Sequence, residues 1–485
     1  MDGMTVNEAQ KIHCVGIGGI GVSALAQLWR AQGKEVSGFD AEESEITRAL
    51  EKQGIEIYRG STSGIRIPEV EPPNIVVYSD AVPEDHPERV AAREAGVPEM
   101  SYAQALGEVS RDYKTIVVTG THGKSTTTAL LGLMLEAADL DPLVIVGSKV
   151  PGWTYGNLRI GKGKYFVVEG DDYRDHFLEL APYAVVVTNI EWDHPDYFRD
   201  LEHTVKSFAK LVEKVPQSGL AVINGDDPCC RSLSEQKTHP YKLENVRMLL
   251  YGRDSEVFAK LELQVPGEFN RYNATAAATA AMELGVSREV VEKLAREFKG
   301  VWRRFEVVGK LETGNWKLDG SAQISNFKFP VLDLPIIISD YGHHPTAIRE
   351  TMKAARESFP GRRLVLVFQP HQHSRTKRLF NDFVEALRGA ADIVIVSDIY
   401  AVKGRMEDHN VSSRDIVEAI KRLSDGAIKF NNLITQSSNN SILYGGDLAQ
   451  TKRVVLEQIK PGDVVIFMGA GDIDNLARAI IQEEK

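Results

Sequence analysis

The run Gly120-Thr121-His122-Gly123-Lys124-Ser125 places two glycines, a lysine and a hydroxyl within six residues. The general phosphate-binding loop reads G-x-x-x-x-G-K-[ST]. Counted back from Gly123, its first glycine falls at position 118, which is Val118, and the nearest glycine is Gly120. The loop is therefore a shortened form. Its chemistry is complete: backbone N–H groups to face a phosphate, an ammonium for the β/γ oxygens, and a Ser125 or Thr126 hydroxyl for a magnesium ion. An apolar strand, TIVV, precedes it and a helix, TTTALLGLMLEA, follows. A lysine at a helix N-terminus opposes the helix dipole unless an anion sits there, which favours phosphate binding over a solvated turn.

A second glycine loop opens the chain. Gly16, Gly18, Gly19 and Gly21 follow a strand and start a helix, and Asp40 closes the next strand. This is the dinucleotide fingerprint, in which glycines let the backbone approach a pyrophosphate at a helix N-terminus. Taken alone it points to an NAD-dependent oxidoreductase. The same physics serves any diphosphate, so the motif specifies the pyrophosphate better than the nicotinamide.

Carboxylates and histidines gather at other strand ends. Glu169 ends YFVVE and is followed by Gly170-Asp171-Asp172, where hard oxygen donors suit Mg²⁺ together with phosphate oxygens. The run Thr188-Asn189-Ile190-Glu191-Trp192-Asp193-His194 offers His194 as a second metal ligand or a polariser, or as a structural residue. Asp340 closes IIISD before His343 and His344. Adjacent residues on a strand point apart, so this histidine pair makes a poor zinc site. Gln369-Pro370-His371-Gln372-His373-Ser374-Arg375 ends LVLVF, where the planar fork of Arg375 suits an anion; a helix-starting turn of solvated polar residues is the alternative.

These residues need a scaffold of parallel strands, and the chain supplies three series of them. Short apolar runs alternate with helical patterns, the mark of α/β domains with mostly parallel sheets. The series divide the chain into a Rossmann-like domain over 1–112, a central P-loop ATPase-like domain over 113–306 and a C-terminal Rossmann-like domain over 307–485. The second ends in an alanine-rich helical tract, NATAAATAAMELG and SREVVEKLAREF. ETGNWKLDGSAQISNFKFP and NNLITQSSNNSILYGG read as surface hairpins or loops without chemistry.

At 485 residues the chain is too long for one ordinary core. A hydrophobic share of 43% against 26% charged excludes disorder as the default. The net charge of −11 argues against nucleic acid, which asks for a basic surplus. No apolar run approaches the roughly 18 residues of a membrane span, and the first residues lack a secretory pattern. The three cysteines form neither a disulfide framework nor a zinc pattern. A cytoplasmic protein, monomeric or weakly dimeric, with small-molecule substrates is the expectation.

Eight motifs in order, HCVGIGGIGVSALA, SGFDAEES, GTHGKSTTT, NIEWDH, FNRYNATAAA, RRFE, DYGHHPT and FQPHQHSRT, make the whole chain resemble the Mur ligases, and within them the alanine-adding branch. The resemblance implies that the first domain holds a UDP-sugar, through Gly16, Gly18, Gly19, Gly21, Asp40 and Ser79. It implies that the second binds ATP and Mg²⁺, with Mn²⁺ as an alternative ion, and that the third completes the ATP site and receives the amino acid. The implied reaction joins L-alanine to the lactyl carboxylate of UDP-N-acetylmuramate through an acyl phosphate, in peptidoglycan precursor synthesis. Gly120, Thr121, His122, Gly123, Lys124, Ser125, Thr126, Asn270, Asn273 and Arg304 would contact ATP. Ser125, Glu169 and His194 would hold metal. Lys124, His194, Arg304 and Asp340 would serve catalysis, and His344, His371 and Arg375 would form the amino-acid pocket, Arg375 pairing with the alanine carboxylate.

The chain departs from the family pattern in three places. Ser125 stands where threonine is usual, Glu169-Gly170-Asp171-Asp172-Tyr173-Arg174 where E-A-D-E-S is common, and Gln372-His373 where Arg-Tyr is usual. The last leaves open a recycling ligase that adds a ready-made murein tripeptide. An NAD-binding oxidoreductase and a non-catalytic nucleotide-binding regulator are the more distant alternatives.

Overall fold

The computed structural model describes residues 4–60, 72–235, 243–311, 313–317, 323–328, 334–401, 410–430 and 441–482. It holds three α/β domains, each built on its own sheet. In the first, Lys11–Val15 lies at the centre of five parallel strands, with Glu35–Phe39 and then Glu56–Tyr58 on one side and Ile75–Tyr78 and then Glu99–Ser101 on the other. The strand order reverses at Lys11–Val15, so the glycine loop that follows it opens at the switch point where α/β sheets bind ligands.

The second sheet has seven strands. Lys114–Thr119 runs between Pro182–Val187 and Tyr165–Glu169, with Leu220–Asn224 and Met248–Tyr251 beyond the former and Leu143–Ile145 and Leu158–Arg159 beyond the latter. Only the last pairing is antiparallel. Ile116, Val117, Val118, Val167, Val168, Val185 and Val186 are fully buried. That is why these strands read as unbroken apolar runs: helices cover both faces of the sheet.

The third sheet orders Glu306–Lys310, Ile336–Asp340, Val464–Met468, Leu364–Phe368, Ile393–Ser397 and Ser441–Gly446, parallel apart from the first strand. One expectation for the third domain changes here. SILYGG, read within a surface hairpin or loop, is the edge strand Ser441–Gly446 of the main sheet, its adjacent glycines having masked a short apolar run; residues 431–440 lie outside the described residues. Thr313–Lys317 and Gln323–Lys328 pair as an antiparallel hairpin. Glu56–Tyr58, Glu99–Ser101 and Met248–Tyr251 are further strands that the sequence reading passed over, each too short to show a period.

The backbone forms two compact units. One comprises the first two sheets and their helices up to Val301. The other runs from Trp302 to the end and includes Asp193–Asp196 and Val265–Asn270. Among the described residues no helix is long and apolar enough to cross a membrane.

Candidate functional site

The loop after Lys114–Thr119 is held in a shape only glycine permits. Gly120 has φ +137° and Gly123 φ +85°. A Cβ on Gly120 would overlap Thr188 Oγ1, and one on Gly123 would overlap Asn273 Oδ1. Gly123 is also the N-cap of Lys124–Ala137 and offers no side-chain acceptor. The first-turn N–H groups of this helix therefore face the loop without a competing cap, as an anion site requires.

The loop backbone is clamped from the NIEWDH segment. Asn189 accepts from the His122 N–H through Oδ1 (2.8 Å) and donates to the His122 carbonyl through Nδ2 (3.0 Å). Thr188 Oγ1 donates to the same carbonyl at 2.5 Å. Thr121 Oγ1 accepts from the Glu191 N–H at 2.8 Å. His122 thus has a structural account in its backbone, and its ring nitrogen Nε2 lies 3.6 Å from Glu191 Oε2.

Lys124 and Ser125 meet the acidic segment. Lys124 Nζ donates to Asp172 Oδ1 at 2.9 Å and to the Gly120 carbonyl at 2.7 Å. Burial alone would lower the Lys124 ammonium, but Asp172, Asp171 and Glu169 together raise it above the ordinary lysine range, so it stays charged at neutral pH. Ser125 Oγ lies 3.2 Å from Glu169 Oε1, and Glu169 Oε2 accepts from the Gly147 N–H at 2.7 Å. The departures in this segment are now explained. Asp172 is the counter-ion of Lys124, and Gly170 is required because a Cβ there would come within 2.6 Å of Val117 Cγ1.

The N-terminal glycine loop is shaped by the same means. Gly16 has φ +78°, and its Cβ would lie 3.0 Å from that of Ser79. Asp40 Oδ2 accepts from the Gly18 N–H at 2.8 Å, so this carboxylate holds the loop itself. Gly21 lets Tyr102 approach the start of Ile20–Ala31, where a Cβ would lie 2.6 Å from the ring.

His176 joins the two domains of this unit. Its Nε2 lies 3.3 Å from Asp80 Oδ2, next to Ser79, and its Nδ1 lies 3.4 Å from Asp171 Oδ2. Burial lowers its pKa, but Asp171 and Asp80 outweigh burial and the charge of Arg174, and the net shift is upward. A raised histidine contributes stability that is fully present below its unfolded pKa of about 6.5 and is lost as pH rises through the folded value. His176→Gln should therefore lower the melting temperature at pH 6 and leave it near wild type at pH 8.5. An equal loss at both pH values would remove the charge from the account.

In the second unit Asp340, at the end of Ile336–Asp340, accepts from the Phe305 and Gly342 N–H groups, each at 2.8 Å. Burial raises its pKa against these bonds and the nearby Arg304 and Arg303. Arg303 and Phe305, on either side of Arg304, both have left-handed backbones, at φ +57° and +50°. The Arg304 guanidinium sits 4.4 Å above the Tyr341 ring. His344 is the N-cap of Pro345–Ser358, its Nδ1 accepting from the Thr346 N–H at 3.3 Å. His371 stacks on Tyr400, with ring centroids 5.6 Å apart and planes 10° apart. Arg375 is buried; its Nε donates to Asp193 Oδ1 at 2.8 Å, and its Nη1 lies 3.2 Å from His371 Nδ1. Asn270 Nδ2 donates to the Pro266 carbonyl at 2.6 Å.

Family models match all three domains: the Mur ligase family catalytic domain over residues 11–114, the Mur ligase middle domain over 118–281, and the Mur ligase glutamate ligase domain over 331–471. The chain belongs to the Mur ligase family. Two similar relatives are UDP-N-acetylmuramate–L-alanine ligases. That of Alkaliphilus metalliredigens is 33% identical, covering 99% of each chain, and that of Acetivibrio thermocellus is 34% identical, covering 99% of this chain and 97% of its own. A solved structure, the UDP-N-acetylmuramate–alanine ligase of Thermotoga maritima, aligns with a TM-score of 0.75 at 26% identity, over 98% of this chain and 99% of that one.

In this Mur ligase the structure brings Gly120, Gly123, Lys124, Ser125, Glu169 and Asn273 together in one unit. It groups Asn270, Arg304, Asp340, His344, His371 and Arg375 in the other, along with His194. Thr188, Asn189, Asp172 and Asp193 were missed as site-building residues. All four lie in segments already singled out, but nothing in their spacing says what they would bind.

Proposed function

We propose that this Mur ligase joins L-alanine to the lactyl carboxylate of UDP-N-acetylmuramate at the expense of ATP. The observation that carries the reading is the pairing of near-full-length relatives of that name with a shortened phosphate loop whose lysine is charged and preset. A carboxylate oxygen attacks the γ-phosphorus of ATP and ADP leaves. The amine of alanine then attacks the acyl phosphate carbonyl, phosphate departs and the nitrogen loses its proton.

Lys124 and the first-turn N–H groups of Lys124–Ala137 would bind the β- and γ-phosphates and offset charge that builds on them during transfer. Asn273, packed against Gly123, would border the same nucleotide; the family resemblance assigns Asn270 and Arg304 to ATP as well, and Arg304 and Asp340 to catalysis. Gly16, Gly18, Gly19, Gly21 and Ser79 would cradle the uridine diphosphate, with Asp40 fixing the loop. His344, His371 and Arg375 would border the amino acid.

The Ser125 hydroxyl and the Glu169 carboxylate offer adjacent hard oxygen donors, a donor set that fits Mg²⁺, or Mn²⁺ in its place. His194 is the further candidate ligand. When bound there, such an ion would supply charge screening for the attack of one anion on another. Glu169→Gln should shift the Mg²⁺ concentration for half-maximal activity upward by about tenfold or more, the cost of one charged ligand. An unchanged titration would remove Glu169 from the metal shell.

The deciding experiment measures phosphate release from ATP with UDP-N-acetylmuramate against L-alanine, glycine, L-serine and the murein tripeptide in turn. L-alanine should give the highest kcat/KM. A preference for the tripeptide would instead identify the recycling activity.

A further inference from the structure

Asp193 has no part in the reaction as described above, yet it forms an enclosed ion pair with Arg375 of the expected amino-acid pocket. The two side chains are 6% and 1% exposed and come from positions 182 residues apart. One carboxylate oxygen, Oδ1, receives both the Arg375 Nε–H at 2.8 Å and the backbone N–H of His194 at 2.7 Å. His194 has φ +51°, a left-handed backbone that a side chain other than glycine rarely adopts and that needs outside support. On its other edge Arg375 reaches His371, whose ring is fixed by Tyr400. Asp193 therefore sets the backbone of one candidate site residue and the guanidinium plane of another.

Two roles suit a carboxylate on an arginine expected to bind a carboxylate. Asp193 is either an internal occupant that the amino acid displaces, or a fixed support that aims the guanidinium. The enclosure decides between them. The Asp193 carboxylate is almost wholly enclosed, and its charge is met by the equally enclosed Arg375 guanidinium. Displacing Asp193 from Arg375 would leave that charge buried and short of its main partner, a heavy penalty for a small substrate to meet. From this geometry, and resting on the ligase reading above, we infer that Asp193 is a positioning residue for amino-acid recognition. It holds Arg375 by its Nε edge so that the rest of the guanidinium presents to the carboxylate of the incoming amino acid.

The test compares wild type with Asp193→Asn, which keeps an acceptor for the His194 N–H and loses the charge, and with Arg375→Lys, which keeps the charge and loses the fork. Both variants should raise the KM for L-alanine at least about 30-fold while KM for ATP and for UDP-N-acetylmuramate stays within about twofold. The melting-temperature gain from L-alanine, with the sugar nucleotide and a non-hydrolysable ATP analogue present, should fall in parallel. A lower KM for L-alanine in Asp193→Asn would identify an internal occupant and overturn the inference. So would equal changes for all three substrates, or none, which would mark a plain structural anchor. If Asp193→Asn does not fold, Arg375→Lys carries the same comparison. Wild type measured alongside separates the two claims: no L-alanine-dependent release from it counts against the ligase reading, whereas release from it with unselective variants counts against Asp193 alone.

Discussion

Lys124→Ala is expected to lower L-alanine-dependent ADP release by about 10³-fold, or about 4 kcal/mol of transition-state stabilisation. The ammonium is placed before any ligand arrives, 2.9 Å from Asp172 and 2.7 Å from the Gly120 carbonyl, so its loss removes both a charge and a preset direction. A second effect accompanies it. The Asp172 side chain is only 2% exposed, and without Lys124 its buried carboxylate loses the ammonium paired with it, a cost of about 1–3 kcal/mol. The double variant Lys124→Ala, Asp172→Asn should recover most of that stability and none of the turnover. Urea unfolding and steady-state ADP release on the same samples separate the two effects. Near-normal turnover in the single variant would sink the assignment of this loop to ATP.

Gly123→Ala should be nearly as damaging, for a steric reason. At φ +85° an L-residue costs about 1–2 kcal/mol, and the added methyl would also overlap Asn273 Oδ1, so the Asn273 amide or the loop must move. Such displacement of the phosphate cradle is expected to raise the KM for ATP at least about 100-fold, as misplaced reacting groups do. Gly152 provides the control. Its φ is +89°, but nothing lies within 4 Å of where a methyl would stand, so Gly152→Ala bears the backbone cost alone and should leave the KM for ATP unchanged. Equal behaviour of the two variants would show that the contact with Asn273 does not matter.

Much of this site was legible before the fold was known, and the reason differs by residue. Gly120, Gly123, Lys124 and Ser125 are contiguous, and a strand before them with a helix after them is enough to say that N–H groups, an ammonium and a hydroxyl converge. The buried parallel strands were equally plain, because burial on both faces writes itself as runs such as TIVV and YAVVV. Short strands such as Glu56–Tyr58 were not legible, since three residues cannot display a period. Ser441–Gly446 was hidden because its partners are supplied by a neighbouring strand rather than by its own pattern.

Arg375 shows where sequence reasoning ran out. Its type and place at a strand end signalled an anion partner, and the anion found is Asp193, 182 residues away. His344, which the resemblance gave to the amino-acid pocket, is seen to cap its own helix. The amino-acid sequence by itself determined the chemistry available to this protein: two glycine loops, one charged lysine, hard oxygen donors, and three series of strands to carry them. Local order and burial act over a few residues, and the sequence states them directly. Only the tertiary structure decided which charge meets which, that Asp172 answers Lys124, Asn189 clamps His122 and Asp193 holds Arg375. Those pairings depend on loop paths that bring distant segments within 3 Å, a distance that spacing along the chain does not encode.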